Sequence, residues 1–184
     1  MQDVSNEIIK RSAEGDIKAF EAVYRATSGF VYNVAYRTVH NAQDAEEITQ
    51  EVFLKVYHNM KYFRMQSSFK TWVYRITANC AINYSKKVSR ERGRREEYGK
   101  YLNPWDVLSA PKASGMEHKE IADLALKILN PDQRVCVILR NLEGLSYRQI
   151  ADTLKISINT VRSRLARARE KLLSARKEVM GNEL

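Results

Sequence analysis

The stretch Ser146–Leu173 reads SYRQIADTLKISINTVRSRLARAREKLL, two short helices joined by a tight turn. Ser146 followed by Gln149 is a capping-box pattern that starts the first helix. Ile150, Ala151 and Leu154 then recur at helical spacing. Lys155, Ile156 and Ser157 make the turn, and Ser157 is placed to cap a helix beginning at Ile158. On that helix Ile158, Val161, Leu165, Ala168 and Leu172 step by three and four, giving a continuous apolar stripe. Asn159, Arg162, Ser163, Ala166, Arg167 and Glu170 fall on another face. One side of such a helix can pack on its partner while the other offers Arg, Ser and Asn to a DNA major groove, which is helix-turn-helix logic. The plainer reading is a solvated basic face on a helix pair that never touches DNA. Arg162, Arg164, Arg167, Arg169 and Lys171 face a single acid, Glu170, and small Ser163 and Ala166 would let the backbone approach a groove. Both features favour DNA.

Composition sets the outer bounds. The chain has 184 residues and a formal net charge of +9, with a sequence pI near 9.6. Those values suit a small protein of one or two domains with a polyanionic partner. No apolar run is long enough to span a bilayer, and the first residues carry no signal-peptide core, so a cytoplasmic location without membrane insertion is expected. Cys80 and Cys136 are too few for a disulfide framework or a zinc knuckle, and His40, His58 and His118 have no metal-ligand spacing. No metal and no cofactor is expected. With only 7 glycines and 3 prolines, most of the chain can be helical.

Residues 1–95 read as a first helical block. Residues 96–115 hold Gly99, Pro104, Pro111 and Gly115 in a polar mixture without a period, and read as a flexible linker. A second block covers 116–184. It opens with a helix carrying Ile121, Leu124, Ala125, Ile128 and Leu129. Asn130-Pro131 then supplies a cap and a first-turn proline for a helix through Val135, Val137, Ile138 and Leu142, ended by Gly144. The fold class is therefore all-α, two small helical domains with a helix-turn-helix in the second.

Two surfaces of the first block differ in chemistry. The segment 61–95, KYFRMQSSFKTWVYRITANCAINYSKKVSRERGRR, interleaves aromatic and basic residues. Splayed bases stack on aromatic rings for roughly 1–3 kcal/mol each while cations track phosphates. In a helix starting near Ser68, Phe69, Val73, Ile76 and Cys80 share one face and should pack inward. Trp72, Arg75, Asn79 and Asn83 line an adjacent face able to read or stack on bases. The pattern favours core for Phe69. It leaves Phe63, Trp72 and Tyr74 evenly divided between core and stacking. Upstream, Asp44, Glu46, Glu47 and Glu51 make an acidic helix leading into Val52, Phe53, Val56 and Tyr57. That face repels nucleic acid and suits a basic protein partner. It also serves the helix N-terminus, where acids contribute a few tenths to about 1 kcal/mol.

In this order the parts resemble the extracytoplasmic-function class (group IV) of bacterial sigma factors in the sigma-70 family. DAEEITQEVFLKVY resembles the region-2 segment that grips the clamp helices of RNA polymerase. FKTWVYRITANCAINY resembles the promoter-melting and minus-10-reading segment. NPDQRVCVILRNLEGLSYRQIADTLKISINTVRSRLARAREKL resembles region 4. The resemblance implies a noncatalytic specificity subunit that binds core polymerase at clamp helices and flap, and promoter DNA both as duplex and as melted single strand. It also implies restraint by an anti-sigma factor. By position it assigns Asp44, Glu47, Gln50, Glu51 and Phe53 to polymerase binding. To the minus-10 element it assigns Asn79 and Asn83, with the loop from Arg64 to Ser68, Ser67 included, holding a flipped base; the aromatic–basic pattern adds Phe63, Trp72 and Arg75 to that site. To the minus-35 element it assigns Arg162, Ser163 and Arg167, with Ser157 and Thr160 near phosphate; the face pattern of the helix adds Asn159 and Ala166.

Two rivals remain at this point. A ligand-sensing transcriptional regulator would share the second block but has no use for the aromatic–basic helix. A nuclease would need a carboxylate cluster, a His pair or a phosphate loop, and none is placed for that chemistry.

Overall fold

The computed structural model describes residues 4–95 and 125–181; the expected linker and the start of the second block fall outside the described residues. Those residues are helical, with no strand among them, and divide into two compact units.

The first unit holds α1 (Asn6–Ala13), α2 (Ile17–Val39), α3 (Ala42–Met60) and, up to Tyr84, α4 (Phe69–Arg95). Each start is fixed locally. Ser5 Oγ accepts from Ile8 N–H at 3.3 Å, and Asn41 Oδ1 accepts from Asp44 N–H at 3.0 Å. Between α1 and α2 the chain reverses at Gly15, whose φ of +97° disfavours any residue with a Cβ. Asp16 then caps α2 by accepting from the N–H groups of Lys18 and Ala19, while Arg11 donates to its other oxygen at 2.6 Å. On α2, Val23, Thr27, Phe30, Val31, Val34, Ala35 and Thr38 repeat at three and four, and all are buried. The two buried threonine hydroxyls donate back to the carbonyls of Val23 and Val34, both at 2.7 Å, so no polar atom is orphaned there. This face meets Ile48, Val52 and Val56 of α3, all fully buried.

The second unit holds α5 (Pro131–Val137), a π-helical turn (Ile138–Leu142), α6 (Tyr147–Leu154) through Ala151, and α7 (Ile158–Gly181). Asn130 caps α5 with Pro131 in the first turn, as the sequence reading expects, and Gln133 completes a capping box that it does not name. The helix expected to run through Leu142 instead widens into the π turn before stopping at Gly144, φ +69°. The Ser146–Gln149 box is also formed: Ser146 N–H donates to Gln149 Oε1 at 2.8 Å and Gln149 N–H to Ser146 Oγ at 3.2 Å. Ser157 Oγ caps α7, accepting from Thr160 N–H at 3.1 Å. Val135, Ile138, Leu139, Ile150, Val161 and Leu165 form the core of this unit, with α7 packed on α5.

The turn between α6 and α7 passes through Lys155 at φ 56°, a left-handed conformation that costs an ordinary L-residue roughly 1–2 kcal/mol. Lys155→Gly is therefore expected to hold or raise the urea midpoint. Lys155→Val, β-branched at positive φ, should lower stability by about 1–2 kcal/mol. Equal midpoints for the two variants would show that the turn does not constrain this residue.

Candidate nucleic-acid interface

Helix α7 separates its faces much as its spacing implies. Val161, Leu165 and Ala168 are buried and Leu172 half-buried, but Ile158, first of the expected stripe, is 38 % exposed at the helix start. Asn159, Arg162, Ala166 and Arg167 are exposed together, with Ser163 half-buried beside them. Two expected contacts have internal duties. Ser157 is occupied as the cap and shares a 2.9 Å hydrogen bond with Thr160, while Ser163 Oγ donates to the Thr160 carbonyl at 3.0 Å. Arg164 leaves the basic face: it is half-buried and pairs with Asp132 of α5 at 2.9 Å. What faces outward is an amide and two guanidiniums around a small residue, on a helix set beyond a tight turn. That arrangement fits a major groove, where Arg reads guanine and Asn reads adenine.

On α4 the aromatic–basic pattern resolves into two roles. Tyr74 is core, 1 % exposed, its ring edge-on to Phe30 at 4.4 Å. Phe69 is core as expected. Phe63 and Trp72 are half-buried and complete a three-ring cluster with it: Phe63–Trp72 at 5.1 Å, Phe63–Phe69 and Phe69–Trp72 at 5.7 Å. Ser68 starts α4, accepting from Thr71 N–H at 3.1 Å, so its hydroxyl is a cap. Arg64 is exposed and Ser67 half-buried in the preceding loop, where Met65 stands at φ 53°. Arg75 is half-buried, and Asn79 and Asn83 are exposed.

Trp72 and Asn79 also line a cavity of about 300 Å³ between α3 and α4, whose other walls include Lys55, Asn59, Tyr62 and Cys80. Its size lies at the small end of the ~300–1,000 Å³ typical of ligand sites. An indole wall, two amides and an ammonium suit one unstacked base. Neither Lys55 nor Asn59 carries a local sequence signal, because only the packing of α3 on α4 brings them to this cavity. The Lys55 ammonium is held by Glu51 at 2.6 Å and donates to Cys80 Sγ at 3.4 Å. Burial pushes the Cys80 thiol above its ordinary range.

The acidic face of α3 keeps part of its expected membership. Glu47 and Gln50 are exposed and Asp44 is half-buried. Glu51 is exposed but paired with Lys55 on its own helix. Phe53 is a correction: it is 6 % exposed, tilted against Tyr24 at 4.5 Å, and so belongs to the α2–α3 core. Leu54, next along the helix, is the exposed apolar residue. Tyr84 reaches across from α4, its hydroxyl donating to Asp44 Oδ1 at 2.7 Å and lying 3.3 Å from Glu47 Oε2. The hydrogen bond to Asp44 raises its phenol well above the ordinary range.

Among the described residues no helix is long and apolar enough to cross a membrane. No group of His, Cys, Asp or Glu among them could hold a metal ion.

Known proteins match this chain along most of its length. Residues 23–91 match the family Sigma-70 region 2, and residues 119–172 match Sigma-70, region 4. The chain is 32 % identical to the RNA polymerase sigma-H factor of Pseudomonas aeruginosa, over 92 % of each. It is 33 % identical to the ECF RNA polymerase sigma-E factor of Escherichia coli, over 89 % of each. Among solved structures, the sigma factor RpoE from Bartonella quintana, in complex with the anti-sigma factor NepR, aligns with a TM-score of 0.65 at 27 % identity, covering 88 % of this chain and 98 % of that one. CnrH, solved with the cytosolic domain of CnrY, shares the fold at TM-score 0.65 and 19 % identity, covering 94 % of this chain and 96 % of that one.

Proposed function

The chain belongs to the extracytoplasmic-function sigma factors of RNA polymerase, within the sigma-70 family, and from that premise we propose how its surfaces divide the work of promoter-specific initiation. Its absence of a long segment between the region-2 and region-4 matches supports the compact group IV subclass. Core polymerase is engaged by α3 through Asp44, Glu47 and Gln50, whose charge complements a basic docking surface. The α7 face of Asn159, Arg162, Ala166 and Arg167 enters the minus-35 major groove. The face of α4 bearing Trp72, Asn79 and Asn83, with Arg64 and Ser67 of the loop, receives the melted minus-10 strand. One base of that strand leaves its stack for the α3–α4 cavity, with the indole of Trp72 replacing lost stacking. The chain makes and breaks no bond; the polymerase does the chemistry, in the cytoplasm.

The observation that carries this division is that one chain exposes both the Asn159–Arg162–Arg167 face of α7, suited to duplex DNA, and an amide–aromatic face on α4 suited to single strands. A regulator that acts on duplex DNA alone needs only the first. The Bartonella relative is bound to an anti-sigma factor. By that likeness this chain is held inactive by an anti-sigma factor that covers its polymerase-docking face.

Arg167 gives the direct test. Arg167→Ala is expected to cost about 1–3 kcal/mol at the cognate minus-35 sequence, and much less at sequences altered in the base it reads. Filter binding or run-off transcription over a set of single-base promoter variants measures this. An equal loss on every sequence would make Arg167 a phosphate contact.

A further inference from the structure

Asp44 and Glu47 stand one turn apart on α3, where like charges on the same helix face repel. Left alone, each carboxylate would swing away from the other, and a partner would have to bring them together. In this molecule a third group stands between them. The Tyr84 hydroxyl donates to Asp44 Oδ1 at 2.7 Å and lies 3.3 Å from Glu47 Oε2, so one phenol is shared between two acids. Tyr84 is half-buried, and its ring comes from a different helix, directly after Asn83 on α4. The bond thus joins the acidic face of α3 to the helix that carries the strand-reading amides.

We propose that Tyr84 is a positioning residue for polymerase docking: its hydroxyl holds Asp44 and Glu47 in the paired geometry that a cationic protein surface engages. This rests on the reading that α3 is the docking helix. A hydroxyl donor leaves the remaining carboxylate lone pairs available to arriving Lys or Arg groups, and it opposes the mutual repulsion of the acids without cancelling their charge. Side chains already ordered in the free protein lose less freedom on association, which favours tight binding. Tyr84 itself need not touch the polymerase.

Tyr84→Phe keeps the ring and removes only the hydroxyl. The test is titration of core RNA polymerase with the fluorescently labelled full-length protein in four forms: wild type, Y84F, E47Q and Y84F/E47Q. It is run well below the unfolding temperature, with thermal midpoints recorded in parallel. The expected result is that Y84F weakens core binding about three- to tenfold, and that Y84F/E47Q is weaker than E47Q alone by less than that factor, the non-additivity of coupled groups. A purely structural hydroxyl would lower the thermal midpoint and leave the affinity of the folded protein unchanged, which overturns the positioning role. So would a Y84F effect that adds in full to that of E47Q. If E47Q binds core as wild type does, the docking reading of α3 falls and takes this proposal with it.

Discussion

Arg134→Ala is expected to lower the stability of the second unit by about 3–5 kcal/mol, enough to leave a marginal domain largely unfolded. Arg134 is only 9 % exposed. Its Nε donates to the Leu126 carbonyl at 2.7 Å, and its Nη2 to the carbonyls of Leu129 at 2.8 Å and Lys127 at 3.3 Å. Those carbonyls end the helical turn just before Asn130, so the guanidinium acts as a buried cationic cap on the negative end of that turn. Desolvation pulls its pKa down to about 10, still far enough above neutral for the cation to persist. Alanine would strand several buried carbonyl acceptors. Lysine should recover part of the loss, since one ammonium cannot reproduce the planar fork of donors. Urea unfolding measures it. A loss below about 1 kcal/mol would mean that water reaches these carbonyls and that the cap is not structural.

Trp72→Ala should abolish most open-complex formation while leaving core polymerase capture intact. The indole is half-buried, touching Phe63 and Phe69 with part of its surface and forming a wall of the α3–α4 cavity with the rest. Losing a stacking platform costs roughly 1–3 kcal/mol per base, up to about a hundredfold in the melted state. Permanganate reactivity of unpaired thymines would report the bubble. A polymerase affinity within about twofold of wild type would show that α3 still docks and that the fold survives. Full melting by the variant would remove Trp72 from the strand-capturing face.

The sequence was legible where structure is decided within a turn or two. The Ser146–Gln149 box, the Asn130 cap with Pro131 behind it, the Ser157 cap and the glycine stop at Gly144 rest on contacts between residues a few positions apart, and all formed. The exposed face of α7 followed from period alone. What escaped depends on distant partners. Phe53 reads as the edge of an amphipathic stripe, but Tyr24 of α2 covers it. The pattern divides Tyr74 evenly between core and stacking, and Phe30 of α2, packed edge-on against its ring, makes it core. Arg164 counts among the basic residues of α7, yet Asp132 draws it inward. Lys55 and Asn59 carry no local signal, and Tyr84 reads only as one aromatic of the 61–95 segment. Their significance lies in the crossing of α3 and α4, which no single-helix pattern reveals. The π turn at Ile138–Leu142 interrupts an unbroken helical pattern, and nothing in that pattern marks it.

The most direct measurement is run-off transcription with purified core RNA polymerase, with and without this protein, on a pool of promoter fragments. The account predicts transcripts that appear only with the protein, from start sites sharing spaced minus-35 and minus-10 elements. Binding to duplex DNA by the protein alone, with no core association and no transcripts from any fragment, would contradict it.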